Sequence, residues 1–456
     1  MDYREETDSM GAVRVPAGMY YGASTQRAVE NFAISGATLP PVFHFCVALI
    51  KRTAAEVNAE LGLIEPDVAD AIIQAAGEVM EEEFDAHLVV DVFQTGSGTS
   101  TNMNLNEVIA TRANEILDGE PRTKGRVHPN DHVNRCQSSN DVIPTALHLS
   151  ALMLLKFKLL PQLLELAKAL DEKAEAFAGI RKIGRTHLQD AVEMTLGQEF
   201  SAFARQMELA CERLDAVAPR LCALALGGTA VGTGLGAAPE FAPRVIARMA
   251  EFTGLPLVEA ANHFEAQATV DSAAELSGAV RVAAVSMAKV ANDIRLLGSG
   301  PRLGLGELAL PALQPGSSIM PGKVNPVIPE VVAQVCAQVV GNDAAVAWGA
   351  AGGYFQLNTM LPVVAHNLLE AMELLANAAK ALDEKCVRGL AAAPGLERNV
   401  ARSLAIVTNL VPHLGYDRAA EIANRAHATG RTVEEICLED GVMEPGELRR
   451  ALYGEP

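Results

Sequence analysis

The chain has 456 residues, a length that suggests about three domains, with 49% hydrophobic and 20% charged residues, enough for a large buried core. Its formal net charge of −19 argues against nucleic acid or an anionic membrane as a partner, so an anionic substrate must be met by a local positive site. Aromatic residues are only 4%, which favours helices packed closely on helices.

Residues 1–136 read as a first domain of short helices and loops. Lys51–Leu63 and Pro66–Glu82 have helical patterns, whereas Thr95–Thr99 and Gly119–Asn134 are rich in turn-forming residues. Thr95-Gly-Ser97-Gly-Thr99 gathers small hydroxyls and glycines that let backbone and side chains converge on an anion; a plain Gly/Ser turn has the same composition. His128-Pro-Asn130-Asp131-His132 reads as a polar turn or a helix cap. His128 and His132 have the spacing of metal ligands on a helix, but Pro129 and the turn residues argue against a helix there, so no metal site is expected.

A central domain is expected over 137–395. It opens on Gln137-Ser138-Ser139-Asn140-Asp141, where a helix cap needs one hydroxyl and two are present with an amide. Ile143–Ala178 reads as one long helix, apolar on more than one stripe and kinked at Pro161. Further long helices are expected at Met194–Leu224, Phe264–Leu297, Pro329–Trp348 and Pro362–Leu390. All five exceed the usual length of about 11–12 residues. They need partners along their whole length, and the second apolar stripe implies self-association.

Three polar or glycine-rich breaks separate these helices. Gly184-Arg185-Thr186-His187-Leu188-Gln189-Asp190 offers His187 for proton handling near neutral pH, or as a solvated loop histidine. Gly227–Gly236 contains Gly232-x-Gly234-x-x-Ala237, a loose dinucleotide fingerprint without a βαβ setting; it reads as a connector, and no cofactor is expected. Gly316-Ser317-Ser-Ile-Met-Pro-Gly-Lys323-Val-Asn325-Pro is a shaped loop with two hydroxyls, a cation and an amide donor, suited to hold a carboxylate. It is not a phosphate loop, because five residues separate Gly316 from Gly322 and Val324 follows Lys323. Glu330 follows Pro329 at a helix start, where a carboxylate suits the dipole.

Residues 396–456, broken at Gly415, Gly430, Gly441, Pro445 and Gly446, read as a small C-terminal domain. Seven scattered cysteines without a CxxC pair read as buried thiols of a reducing compartment. Met1–Met10 is polar and acidic, unlike a secretory signal. The uncharged stretches Leu221–Pro239 and Ala344–Ala365 are broken by glycines and polar residues, so no membrane span is expected. A cytoplasmic protein is the expectation.

The polar segments at 95–99, 128–131, 138–140, 184–190 and 316–326, in this order, resemble conserved regions of the fumarase/aspartase superfamily, and within it the class II, metal-independent fumarate hydratases. The likeness runs from Asp8-Ser-Met-Gly-Ala to Gly415-Tyr416-Asp417, nearly the whole chain. It implies an all-α fold with a long central five-helix bundle, four copies of which form a twenty-helix core in a homotetramer with active sites shared between subunits. The implied reaction is the reversible hydration of fumarate to L-malate, a step of the tricarboxylic acid cycle, through an aci-carboxylate intermediate and without cofactor or metal. By the same likeness Ser317 is the base that takes the C3 proton, and Lys323 and Asn325 grip the carboxylate that gathers charge. Ser97, Thr99, Ser138, Ser139, Asn140 and Thr186 supply further hydrogen bonds to substrate. His187, paired with Glu330, orients and activates water at C2. His128, Asn130 and Asp131 match a second anion-binding region near the site entrance. Thr95–Thr99, Gly227-Gly228-Thr229 and Phe264-Glu265-Ala266 side with the hydratases, whereas His132 and Val327-Ile-Pro-Glu330 are also seen in aspartases. An aspartate ammonia-lyase or a related ammonia-lyase is the alternative.

Overall fold

The computed structural model describes residues 2–454; Met1, which opens the expected acidic start, and Glu455 and Pro456, which close the expected C-terminal domain, lie outside the described residues. The fold is all-α, with five small two-stranded pairings among the described residues. The chain gathers into two compact units, one of residues 2–161, 212–284 and 336–376, the other of 162–211, 285–335 and 377–454.

In the first unit, strands β1 (Tyr3–Asp8) and β2 (Gly11–Pro16) form an antiparallel hairpin closed where Asp8 faces Gly11, a position of φ +110° that favours glycine. This hairpin was not expected from the sequence. Helix α1 (Ala23–Asn31) follows, and its N-terminal amides at Gly22, Ser24 and Thr25 are capped from afar by the buried carboxylate of Glu107. Helices α2 (Pro41–Glu60) and α3 (Pro66–Met80) each start on a proline, whose missing N–H costs nothing there. They pack on one another, and α3 packs on α4 (Thr99–Asp118). Helix α4 was not expected, and Thr99 is its first residue. The expected absence of helix at His128–His132 is also corrected. Pro129–Val133 forms one π-helical turn, with Pro129 at the first position, where proline is tolerated.

The long central helix runs from Ser139 to Ala176 as α5 (Ser139–Leu154), a π-type stretch (Leu155–Leu159) and α6 (Leu160–Ala176). The change of register falls just before Pro161, which has no N–H for the carbonyl four residues back. By length and composition this helix could cross a membrane, but 72% of its most apolar window is buried within the fold. Helix α7 (Leu196–Leu221) agrees with the sequence reading within a turn, and α8 (Phe241–Thr253), closed by Gly254 at φ +70°, is additional. The expected helix 264–297 is broken. Asn262 caps a short α9 (His263–Ala268), Thr269 is extended, and α10 (Asp271–Leu297) begins afresh. Helices α11 (Val327–Ala350) and α12 (Leu361–Lys385) complete the long set.

In the second unit, strands β3 (Arg181–Thr186) and β4 (Gln189–Thr195) form a hairpin where a polar break was expected. Five short helices, α13 (Arg398–Arg402), α14 (Val411–Leu414), α15 (Tyr416–Thr429), α16 (Val433–Glu439) and α17 (Pro445–Tyr453), surround a core of Leu410, Ile422, Ile436, Leu448 and Leu452. Ile183 of the hairpin joins that core, so the C-terminal helices anchor the base of β3.

Candidate active site

The polar segments fall into two sets, one in each unit. In the first unit the Thr95–Thr99 segment needs both its glycines. A Cβ at Gly96 would lie 1.8 Å from the Thr359 carbonyl oxygen, and Gly98 takes φ +72° as the N-cap of α4. Ser97 Oγ and Thr99 Oγ1 lie 2.8 Å apart at that helix N-terminus, where an anion is favoured.

Ser138 caps α5. Its Oγ accepts the Asn140 N–H at 3.2 Å, while Asp141 accepts the Ser138 N–H at 2.9 Å, the two halves of a capping box. Ser139 is buried, and its Oγ lies 3.4 Å from Asn102 Nδ2. Asn140 donates from Nδ2 to the Ala230 carbonyl at 2.8 Å, which brings the Gly227–Ala230 segment against the start of α5. His128 is the cap of its π turn, its Nδ1 accepting from the N–H groups of Asn130 (3.2 Å) and Asp131 (3.3 Å). His132 Nδ1 accepts the His128 N–H at 2.8 Å, and burial holds the His132 imidazole below its ordinary pKa. Both histidine Nδ1 atoms therefore act as acceptors inside the turn, while Asn130 and Asp131 are exposed.

In the second unit Thr186 and His187 stand at the exposed tip of the β3–β4 hairpin. His187 (φ 57°) and Leu188 (φ 60°) form its two-residue turn, both in the left-handed region that a right-twisted hairpin demands and that neither side chain favours. The hairpin is fastened below its tip. Lys182, 1% exposed, pairs with Glu199 and lies 3.1 Å from Glu307, and Glu307, fully buried, also pairs with Arg185.

The 316–326 loop closes on itself. The Gly316 N–H donates to the Lys323 carbonyl at 2.7 Å, and Asn325 Nδ2 donates to the Gly316 carbonyl at 2.8 Å. Inside that ring the Ser317 Oγ accepts the N–H groups of Ile319 (3.1 Å) and Met320 (3.0 Å). Lys323 extends from the loop exposed, and Glu330 stands in the first turn of α11, half-buried. Within one chain no hydrogen bond or ion pair joins His187 to Glu330 among the described residues.

Sequence reasoning missed the polar groups beneath these segments: in the first unit the buried Lys51, Asn102 and Asn106 with the half-buried Asn134, and in the second unit the buried Glu307. A lysine inside the apolar run of α2, and Asn102 and Asn106 one turn apart on α4, are the signals that could have marked those of the first unit.

Residues 11–341 match the family model described as Lyase, and 406–455 match Fumarase C C-terminus. The chain is 54% identical over 455 residues to fumarate hydratase class II of Halobacterium salinarum, covering 100% of this chain and 97% of that one. It is 50% identical over 443 residues to fumarate hydratase class II of Nitrosomonas europaea, covering 97% and 96%. The crystal structure of recombinant class II fumarase from Schistosoma mansoni superposes with a TM-score of 0.95 at 39% identity, covering 99% of this chain and 98% of the other. With near-complete coverage, a shared fold and the polar segments all in place, the chain belongs to the class II fumarate hydratase family.

Proposed function

We propose that this protein catalyses the reversible hydration of fumarate to L-malate. The observation that carries the reading is the Ser317 hydroxyl oxygen held by two backbone N–H donors beside Lys323. Serine is a poor base because its alkoxide is unstable, and two fixed N–H dipoles with a nearby cation are what an alkoxide needs. In the dehydration direction Ser317 takes the C3 proton of malate. The electron pair moves into the adjacent carboxylate as an aci-carboxylate, gripped by Lys323 and by the second amide hydrogen of Asn325. The pair then returns to form the C2=C3 double bond as the C2–O bond breaks, and the hydroxyl leaves as water with a proton from His187, which Glu330 orients.

Ser97, Thr99, Ser138, Ser139, Asn140 and Thr186 hold the substrate, and His128, Asn130 and Asp131 serve a second anion region. The helix N-termini at Thr99 and Ser138 support this assignment. A homotetramer with shared active sites is part of the same reading: the exposed apolar side chains of the long helices support it, and it gives His187 and Glu330 a way to meet. The acidic charge and seven buried cysteines support a cytoplasmic setting.

The test is the ultraviolet absorbance of fumarate with the purified protein, with and without ammonium. Loss of absorbance without ammonium, with malate as product, is expected. Loss only with ammonium, giving aspartate, moves the activity to an ammonia-lyase.

A further inference from the structure

Two oppositely charged residues of the first unit are shut away from solvent under the Ser138–Asn140 segment. Lys51, in the middle of α2, is 0% exposed, and its ammonium donates at 2.9 Å to both Asn134 Oδ1 and Gln137 Oε1. The same Asn134 oxygen accepts from Asn102 and Asn106 of α4, each at 3.2 Å. One amide oxygen therefore ties α2, α4 and the turn that leads into α5.

Asp141 is also 0% exposed. Its Oδ1 completes the α5 cap on the Ser138 N–H. Its Oδ2 is surplus to any cap, and accepts the N–H groups of Gly227 (3.1 Å) and Thr229 (2.9 Å). The Gly227–Ala230 segment is tightly seated. Thr229 has φ 53°, Gln267 Nε2 donates to its carbonyl at 2.6 Å, and a Cβ at Gly228 would lie 2.3 Å from Gln267 Oε1. From this seat the Ala230 carbonyl orients the Asn140 side chain. A connector loop needs no buried carboxylate, and a helix cap needs no buried ammonium.

We propose that Lys51 and Asp141 are positioning residues: they clamp Ser138–Asn140 between Asn134 and the Gly227–Ala230 segment and so fix these groups for binding a substrate carboxylate. The inference rests on reading Ser138, Ser139 and Asn140 as substrate ligands. Burial pushes the Lys51 ammonium down to about 7 and the Asp141 carboxyl up, each opposed by the other's charge, so removing one leaves the other buried and uncompensated.

Steady-state kinetics on the full-length enzyme test it, using Lys51→Met, Asp141→Asn, the double variant, and Gly228→Ala, which displaces the clamp segment without altering charge. Each single variant is expected to raise KM for fumarate about tenfold or more, with kcat within about threefold of wild type. The double variant should lose less than the product of the two single losses, because no lone buried charge remains. Unchanged KM in folded Asp141→Asn and Gly228→Ala, or strictly multiplicative losses in the double variant, overturns the proposal. Should Asp141→Asn not fold, Gly228→Ala decides alone. Wild type is assayed alongside: an inactive wild type sinks the hydratase reading, whereas an active wild type with unmoved variants sinks only the clamp.

Discussion

The Ser317 oxygen is bound by two backbone N–H groups, an arrangement that suits negative charge on that oxygen. Ser317→Ala removes the proposed base and keeps the loop ring of Gly316, Lys323 and Asn325. We expect turnover to fall roughly a hundred- to ten-thousand-fold, with the melting temperature unchanged; near-normal kcat in that variant would rule Ser317 out. Lys323→Ala should weaken a dicarboxylate inhibitor by about 1.5–3 kcal/mol, the worth of a charge-assisted hydrogen bond, as titration calorimetry would read. His44 gives a prediction with a different origin. Burial in α2 lowers its pKa from 6.5 to about 4, so between those values the unfolded chain binds a proton that the folded chain refuses. Stability should therefore fall as pH drops from 6.5 to 4, and His44→Leu should flatten that part of a melting-temperature profile. An identical profile in the variant would show that other groups govern the acid limb.

Among the elements, the β3–β4 hairpin has the sharpest consequence. Its turn places His187 and Leu188 in left-handed backbone, where each L side chain costs about 1–2 kcal/mol. Leu188 is exposed and has no role in the site, so Leu188→Gly should stabilise the protein by up to about 1 kcal/mol. A higher melting temperature is the expected reading, and a lower one would mean that Leu188 packs where the single chain shows it exposed. The same hairpin marks the limit of what could be read from sequence. Long helices were legible because apolar residues persist over many turns, so α7 and α11 were found within about a turn and α12 with an end five residues too late. His187-Leu188 lacks the Asn-Gly or Asp-Gly signature of such turns, so its hairpin looked like a loop. Helix α4 was hidden by its buried asparagines: Asn102 and Asn106 on one face, and Asn104 on another, stand at positions that periodicity reserves for apolar residues. The candidate site residues were legible as polar segments; the groups packed beneath them were not, because Lys51 and Glu307 find their partners far away in the chain.

For the molecule as a whole, the exposed apolar side chains of the long helices need cover. Val282, Val285 and Leu296 on α10, and Val331, Val340 and Trp348 on α11, all face solvent in a single chain. Sedimentation equilibrium should give a mass near four chains, and Val340→Glu should lower both that mass and activity. A fully active monomer would refute shared active sites. All seven cysteines, spread from Cys46 in α2 to Cys437 in α16, are also buried, none more than 7% exposed. Burial alone raises the Cys386 thiol to about 12, far from the thiolate that reacts. A thiol reagent added to the native enzyme therefore meets little surface to label, and rapid modification records an opening event. Because the thiols lie in different segments, four of them in α2, α7, α11 and α16, identifying which cysteine is labelled first would chart the order in which the protein comes apart, with no introduced probe.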